Sequence, residues 1–274
     1  MGMVIGIDVG GSTTKIVGIE NGRIQSPMFI TAADPVTSLF GAFGKYIYDN
    51  GIALSDVEQV MLTGVGSAYV DSPLYGLPTN KTDEFLANGL GARHAADNDR
   101  LIVVSMGTGT SLVRIDGESI CHIGGIGIGG GTLQGLARLL LKTSNIRQVA
   151  ELAQNGDVTH VNLLIGDICN MALPDLPVNA TASLLGKVDR DASEADIACG
   201  IIYMVLQTIG QAAILSAINS KIKDFVLIGN LTQLPQCPEV FSKIESLYQV
   251  RFHVPPYAEY RTAIGAALAY MQKK

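Results

Sequence analysis

Residue types suited to phosphate chemistry stand close together near the start of the chain. Asp8 ends an apolar run, Gly10 and Gly11 follow it, and three hydroxyl residues then lead to a lysine. Glycine lets backbone N–H groups approach an anion closely, and hydroxyl groups add further donors. A carboxylate at a strand end suits Mg²⁺, which prefers carboxylate and water oxygens. The pattern predicts a phosphate-binding hairpin that consists of Asp8 on the Mg²⁺ side, Gly10, Gly11, Ser12, Thr13 and Lys15.

An ordinary glycine-rich hairpin would explain one such segment, but the same pattern returns later in the chain. Residues 101–106 form an apolar run, residues 107–111 a glycine and hydroxyl turn, and residues 112–115 an apolar return strand. Asp116-Gly117 then repeats the tight-turn signal of Asn21-Gly22. Two copies of one unit indicate an internal duplication. Two facing copies would hold a polyphosphate from both sides.

The densest glycine run, residues 124–135, leads into a predicted helix that begins at Gly131. A loop of this kind presents unpaired backbone N–H groups and the positive end of a helix dipole to an anion. Close packing of a helix on a sheet also requires small residues, so the run has a purely structural explanation as well. A shorter glycine turn, Gly229-Asn230, ends a later predicted strand and carries a much weaker signal.

Two adjacent carboxylates, Asp83 and Glu84, stand where a predicted helix begins. Phosphorylation of an alcohol benefits from a carboxylate that accepts the hydroxyl proton. Acidic residues at a helix N-terminus also occur simply because they complement the helix dipole. The residues alone therefore do not choose between the two as a catalytic base.

The elements that must position these groups alternate between strand and helix, which favours an α/β fold with mixed sheets. Beyond the two hairpins, the apolar spacing predicts strands at 57–63, 225–228 and 250–254. The predicted helices are 35–50, 82–96, 131–141, 145–154, 194–219, 241–248 and 261–272. Residues 173–191 have the proline and aspartate content of a loop, and a short hinge is expected near 96–100.

These blocks together resemble the actin, sugar kinase and Hsp70 ATPase superfamily, and most specifically the type II pantothenate kinases. The resemblance runs from Val4 to about Tyr270, and its most specific parts are residues 107–111 and 124–136. It implies an α/β, duplicated actin-like (ribonuclease H-like) two-lobe fold with mixed sheets flanked by helices. The N-terminal lobe is expected at residues 1–96 and the C-terminal lobe at 97–274.

The resemblance also implies an activity and its cofactors. Family members transfer a phosphoryl group from ATP, with Mg²⁺, to the primary alcohol of pantothenate, the first step of coenzyme A biosynthesis. They are homodimers, and the long apolar helix predicted at 194–219 is a candidate for part of the interface.

Residue roles follow from the same resemblance. The family's proton-accepting glutamate is followed by phenylalanine, which matches Glu84-Phe85 and selects Glu84 as the base. The nucleotide contacts implied beyond the first hairpin are Gly107, Thr108, Gly109, Gly129, Gly130, Gly131, Thr132, Leu133, Gln134, Gly229 and Asn230. The substrate contacts implied are Thr108, Thr110, Ser111 and His122.

His122 departs from the family pattern, because relatives carry an arginine before the glycine loop that contacts the pantothenate and the transferring phosphate. An arginine has a permanent charge and two parallel donors, which a histidine does not offer reliably at neutral pH. Three interpretations remain open. His122 takes the role with one donor, another arginine such as Arg93, Arg114 or Arg138 supplies the charge, or the substrate or the activity differs.

Three other functions share the phosphate-binding pattern. A kinase for another small alcohol would use it equally, although sugar kinases tend to use an aspartate base in an Asn/Asp-rich site. An ATPase activator of a radical dehydratase would carry paired cysteines for an iron–sulfur cluster, whereas Ser105-Met106 stands before the second glycine turn. A nucleotide-binding regulator without turnover would explain the loss of the arginine.

Composition excludes several classes of function. The 274 residues are 47% hydrophobic, carry a net charge of −6 and contain no basic cluster of the kind that nucleic acids require. The longest apolar segment, 197–218, contains Gln207 and Gln211, which favours a buried helix over a membrane span. The four scattered cysteines favour reduced thiols, and the first residues lack the basic region of a secretory signal. We expect a cytoplasmic protein with no nucleic-acid or membrane partner.

Overall fold

A five-stranded mixed sheet forms the first half of the computed structural model, which describes residues 2–11, 13–31, 34–169 and 177–272. Its strands in chain order are β1 (Met3–Val9), β2 (Thr13–Glu20), β3 (Arg23–Thr31), β4 (Val57–Thr63) and β5 (Thr79–Lys81). The spatial order is β3-β2-β1-β4-β5. The pairs β1–β2 and β2–β3 are antiparallel, whereas β1–β4 and β4–β5 are parallel. Helix α1 (Pro35–Asn50) flanks this N-terminal sheet, and α2 (Glu84–Arg93) follows β5 in the chain.

The second half of the chain repeats this plan. Its main strands are β6 (Arg100–Met106), β7 (Thr110–Asp116), β8 (Ser119–Ile126), β11 (Asp224–Ile228) and β12 (Arg251–His253). Their order, β12-β11-β6-β7-β8, and the directions of all four pairings reproduce those of the N-terminal sheet. The duplication predicted from the two glycine hairpins is therefore confirmed at the level of whole sheets.

Helices cover the outer face of each sheet. The odd-numbered residues of β1 pack against Leu39, Phe43 and Tyr46 of α1. The outer face of the C-terminal sheet packs against α3 (Gly130–Leu141), α4 (Ile146–Ala153), α6 (Glu194–Ala217) and α7 (Cys237–Tyr248). A two-stranded sheet of β9 (Leu163–Leu164) and β10 (Thr181–Ser183), with α5 (Ile165–Ile168), lies between α4 and α6 in the chain.

The inner faces of the two sheets are covered by α2 and by α8 (Arg261–Met271), which cross each other tightly. Helix α8 comes from the end of the chain but packs on β1, β2 and β4 of the N-terminal sheet. Helix α2 packs on β6, β7 and β8 of the C-terminal sheet. The division into lobes at residue 97 stays a prediction, and α8 lies against the sheet of the opposite half.

Helix α6 is long and apolar enough to cross a membrane by length and composition alone, and 61% of its most apolar window is buried inside the fold. Ser193 caps its N-terminus, and the Ser193 backbone N–H donates to the Asp196 carboxylate at 2.9 Å. Its apolar character is explained by this core position, because Ile201, Leu206 and Ile209 are fully buried within the same chain. The helix is therefore the central core helix of the C-terminal half.

Candidate active site

Asp8 and Lys15 form a buried ion pair on the inner face of the N-terminal sheet. The two residues face each other across the β1–β2 pair, and Lys15 Nζ lies 3.7 Å from Asp8 Oδ2. The Asp8 side chain is only 12% exposed and the Lys15 side chain only 7%. Alternation along β1 places Asp8 on the same face as Val4, the face that α8 covers. The first hairpin therefore directs its carboxylate and its lysine towards the side of the sheet on which α8 packs.

The neighbouring strand β4 adds a glycine and a hydroxyl to this corner. Gly64 has a φ of +84°, and an added Cβ would lie 2.6 Å from Asp8 Oδ1, so only glycine permits this approach. Thr63 pairs with Asp8 across the two parallel strands and therefore points to the same face. Its hydroxyl is buried without a hydrogen-bond partner in the described part of the chain.

Glu84 is brought to the same corner by the first turn of α2. Asp83 is the N-cap of this helix and accepts a hydrogen bond from the Leu86 N–H at 2.9 Å, so Glu84 begins the helix. Partial burial raises the pKa of Glu84, the negative charges of Asp8 and Asp83 raise it further, and the positive charge of Lys15 opposes them. Glu84 therefore lies within electrostatic reach of the Asp8–Lys15 pair.

The second glycine hairpin packs against the start of α3. Within the turn, the Gly107 N–H donates to the Gly109 carbonyl at 2.9 Å, as the Gly10 N–H does to the Thr13 carbonyl at 2.9 Å in the first hairpin. The Gly130 N–H donates to the Gly107 carbonyl at 2.8 Å. An added Cβ at Gly129 would lie 2.6 Å from the Thr108 carbonyl oxygen. The two predicted glycine motifs of the C-terminal half are thus one structural unit.

The side chains of several residues predicted to contact ligands in this unit instead bond to the backbone or pack in the core. The Thr110 hydroxyl is buried and donates to the Ile128 carbonyl at 2.8 Å. The Thr132 hydroxyl donates to the Gly127 carbonyl at 3.0 Å and accepts from the Gly129 N–H at 3.3 Å. The Leu133 side chain is fully buried in the core, and Gln134 donates to the Ser144 carbonyl at 3.3 Å. Thr110 and Leu133 therefore support the loop from within.

Gly229 brings the β11 turn against the second hairpin. It has a φ of +97°, and an added Cβ would lie 2.5 Å from the Met106 carbonyl oxygen. Leu231, just after Asn230, lies 3.7 Å from where a Cβ of Gly130 would stand. The weak Gly229-Asn230 signal thus falls beside the strong glycine motifs, as the predicted nucleotide site requires.

His122 lies on the inner face of the C-terminal sheet and stacks on Phe85 of α2. The ring centroids are 3.7 Å apart and the planes differ by 8°. His122 pairs with Val113, and Ser111 lies on the same face of β7 as Val113, towards α2. Arg114 pairs with Cys121 and therefore lies on the opposite face. The inner face thus brings His122 and Ser111 next to the first turn of the helix that carries Glu84.

The other arginines considered as substitutes for the family arginine lie elsewhere. Arg93, at the far end of α2, donates to the Gly117 carbonyl at 3.4 Å and pairs with Glu118 at 3.3 Å. Arg138 lies exposed on α3, on the outer side of the C-terminal sheet. The nearest described cation acting on Glu84 is Lys15.

The predicted site residues fall into two groups joined by α2. One group is Asp8, Lys15 and Glu84, and the other consists of the glycines of the second hairpin, the α3 N-terminus and the β11 turn. Ser12 lies outside the described residues. The individual ligand-binding roles of all these residues stay predictions.

Two features of the candidate site are not apparent from the sequence patterns. Gly64 directly follows the predicted strand 57–63, but its importance depends on its close approach to Asp8, which only the structure shows. Ser105 occupies the position in β6 that corresponds to Asp8 in β1, which superposing the two predicted hairpins would have revealed. The cleft is therefore asymmetric, with a carboxylate on one sheet and a hydroxyl on the other.

Solved structures share this architecture over nearly the whole chain. Component A of the (R)-2-hydroxyglutaryl-CoA dehydratase of Acidaminococcus fermentans matches with a TM-score of 0.73 at 19% identity, over 100% of this chain and 99% of its own. The activator of the 2-hydroxyisocaproyl-CoA dehydratase from Clostridium difficile, with bound ADPNP, gives a TM-score of 0.72 at 16% identity, over 99% and 95%. Such identities show the fold alone. The chain therefore has the duplicated, two-lobe α/β fold of these proteins.

Sequence similarity identifies the family. Residues 93–267 match the Fumble family. The type II pantothenate kinase of Staphylococcus aureus (strain USA300) is 31% identical over 238 residues, which cover 83% of this chain and 84% of that protein. The chain belongs to the type II pantothenate kinase family.

Proposed function

We propose that the protein phosphorylates pantothenate at its primary alcohol with ATP, the first step of coenzyme A biosynthesis. The observation that carries the proposal is the position of Glu84. Its carboxylate, with a raised pKa, begins α2 within electrostatic reach of Asp8 and Lys15, which flank the first glycine turn. A pKa nearer to neutral pH makes a carboxylate a better proton acceptor while it stays ionised.

In this mechanism the chain contributes positioning and charge rather than a covalent intermediate. The two glycine hairpins would let the phosphates approach the backbone closely, because glycines place no side chain in the way. The N–H groups of Gly130 and Gly131 at the start of α3 are already engaged by the Gly107 and Thr108 carbonyls, so α3 would act on the phosphates through its dipole. Lys15 compensates negative charge beside Asp8, and Glu84 accepts the proton of the attacking hydroxyl. The Ser111 hydroxyl, on the inner face of β7, and the Thr108 hydroxyl would contact the acceptor alcohol.

The residues present fit a bound Mg²⁺. Asp8, Asp83 and Glu84 place three negative charges against the one positive charge of Lys15, and the Thr63 hydroxyl beside Asp8 has no hydrogen-bond partner among the described residues. One carboxylate supplemented by water and phosphate oxygens is how Mg²⁺ is usually held in nucleotide sites. Asp8 would hold the ion, and a bound Mg²⁺ neutralises charge that develops on the transferred phosphoryl group.

The dehydratase activators share the fold, but no observation in the cleft favours their activity here. The second glycine hairpin contains no cysteine, and Ser105 stands at the position equivalent to Asp8. Burial raises the pKa of the Cys237 thiol to about 12 and that of Cys199 to about 11, so both are poor candidates for cluster ligands. The kinase interpretation therefore has the stronger support.

The cellular setting is also a proposal. A homodimer in the cytoplasm agrees with the family resemblance and with the reduced thiols that the cysteine pattern favours. Most of α6 is buried within its own chain, and Leu215 near its C-terminal end and Ile218 just beyond it are exposed apolar residues that a partner could cover.

Mass spectrometry of phosphopantothenate tests the activity directly. We expect the purified protein with Mg·ATP and pantothenate to form the product, and Glu84→Gln to lower kcat by about 100-fold or more because it removes the proton acceptor. Glu118→Gln is the matched control, because the Glu118 side chain is 98% exposed and pairs with Arg93, which ends α2 far from Glu84. Absence of product from the wild type, with nucleotide binding intact, would overturn the proposal.

A further inference from the structure

The stack between His122 and Phe85 joins the two halves of the molecule at the first turn of α2. Phe85 directly follows Glu84, whereas His122 lies on β8 of the C-terminal sheet. At 3.7 Å between centroids and 8° between planes, the two rings lie face to face. Aromatic pairs of this kind contribute beyond the area that they bury.

The first turn of α2 has two apolar anchors. Asp83 closes the N-terminus by accepting from the Leu86 N–H. Leu86 is 38% exposed, whereas Ala87 is fully buried against α8 and Phe85 packs on the core of the C-terminal sheet. Phe85 is adjacent to Glu84, so the direction of the Glu84 carboxylate depends on where the Phe85 ring is held.

The geometry does not favour His122 as the source of the positive charge that the family arginine would supply. One face of its imidazole is covered by Phe85, and the cation that acts on Glu84 is Lys15 from the opposite sheet. Arg93 is held by Gly117 and Glu118, and Arg114 lies on the other face of β7. A ring at position 122 fits this arrangement by its shape and not by a permanent charge.

We propose that His122 is a positioning residue for Glu84: its ring stacks on Phe85 and fixes the first turn of α2 against the C-terminal sheet, so that the Glu84 carboxylate faces the acceptor hydroxyl. This inference rests on the proposed pantothenate kinase activity. It assigns His122 to the stage of proton transfer, and not to binding of the acceptor.

Steady-state kinetics of a small set of variants tests this role. We expect His122→Ala to lower kcat by about 10-fold or more, because small displacements of a reacting group have large effects, while the KM for pantothenate changes little. His122→Phe keeps a stacking ring without ring nitrogens and is expected to recover most of the lost kcat. Phe85→Leu should match His122→Ala, and the double variant should be no slower than either single variant, because both remove one interaction.

Tyr75→Leu is the matched control. It removes another stacked ring, 5.6 Å from Phe43 and remote from the cleft, and should leave kcat unchanged. Melting temperatures of all variants separate loss of fold from loss of positioning.

Two results would overturn the inference while leaving the activity in place. One is a His122→Phe variant as impaired as His122→Ala. The other is a His122→Ala variant that raises KM and leaves kcat intact, as a substrate contact would. A wild-type protein that forms no phosphopantothenate would instead overturn the proposed function and this inference with it.

Discussion

Three charges act on the carboxylate of Glu84, and they come from three different segments. Asp8 lies on β1, Lys15 on β2 and Asp83 immediately before α2. The two acids and partial burial raise the pKa of Glu84, whereas the lysine lowers it. The protonation of this one group thus depends on how the first hairpin meets the start of α2.

The pH dependence of activity tests this arrangement. Because Glu84 must be ionised to accept a proton, the acid limb of kcat/KM is expected above the usual range of a glutamate. Asp83→Asn keeps an N-cap side chain but removes a negative charge, so it should lower the pKa of Glu84 and move the acid limb to lower pH. The shift should be less than about one pH unit, because Asp83 is exposed.

Asp34→Asn is the matched control for this profile. Asp34 is the N-cap of α1, accepting from the Thr37 N–H at 2.6 Å, and is not among the charges that act on Glu84. An acid limb that moves equally in both variants, or moves upwards in Asp83→Asn, would contradict the assignment of the base.

The choice between Asp83 and Glu84 marks the limit of what the residues alone can predict. Both acids stand at a helix start, and only the family resemblance selected Glu84. The structure distinguishes the two acids, because Asp83 caps the helix whereas Glu84 is partly buried within electrostatic reach of Asp8. Charges brought together from β1, β2 and α2 leave no trace in local spacing.

At the scale of elements, the crossing of α2 and α8 holds the two halves together. An added Cβ at Gly265 would overlap the Ala87 carbonyl oxygen, and one at Gly91 would overlap the Arg261 carbonyl oxygen. The backbones therefore touch without intervening side chains. The Arg261 guanidinium is buried at the crossing and donates to the Pro256 and Gly91 carbonyls.

Gly265→Ala tests this contact. The methyl group would push the two helices apart, which we expect to cost about 1–3 kcal/mol of stability and to displace Glu84 at the N-terminus of α2. The melting temperature and kcat should both fall. Gly41→Ala in α1, where an added Cβ meets nothing within 4 Å, is the control and should stabilise by up to about 1 kcal/mol. A Gly265→Ala variant with wild-type melting and turnover would show that the helices are not in this contact in solution.

The elements themselves differ in how well sequence patterns predicted them. The helix at 35–50 and the strand at 57–63 are confirmed to the residue, and Gly51 at φ +62° ends α1 as expected. The prediction that residues 124–135 form a loop leading into a helix was only partly correct. Residues 124–126 belong to β8, where Gly124 at φ +145° accompanies a register shift. Glycine-rich strands lack the apolar alternation from which strands are recognised. Strand β5 has only three residues and is too short to show that alternation.

At the scale of the whole molecule, the two sheets share one plan, but the Asp8–Lys15 pair of the first is replaced by Ser105 and Ser111 in the second. The inner-face residue at the end of β1 is Asp8, and its counterpart in β6 is Ser105. Two glycine hairpins can share the phosphates of one nucleotide, whereas only one copy carries the carboxylate suited to a cation. The duplication was predicted from the sequence, and the paired registers align Asp8 with Ser105, a match that superposing the two predicted hairpins would also have given.

Nucleotide binding should therefore stabilise the molecule as one unit. With Mg²⁺ and a non-hydrolysable ATP analogue at about 100 times its Kd, we expect a gain of about 2.7 kcal/mol and a single shifted melting transition. Adenosine, which lacks phosphates, should give a much smaller shift, and Glu84→Gln should respond like the wild type. Equal shifts with adenosine and with the analogue would contradict phosphate binding by the hairpins, and differential scanning calorimetry measures both.

The position of α8 also constrains the synthesis of the protein on the ribosome. The inner face of the N-terminal sheet, with Val4, Val17 and Met61, is covered by Ala263, Ile264 and Ala267. The apolar inner face of the N-terminal sheet therefore stays exposed until residues 261–271 have been synthesised. Contacts so distant in sequence form late and leave nascent chains open to aggregation. A ribosome that stalls before α8 would hold a first lobe that is unable to close.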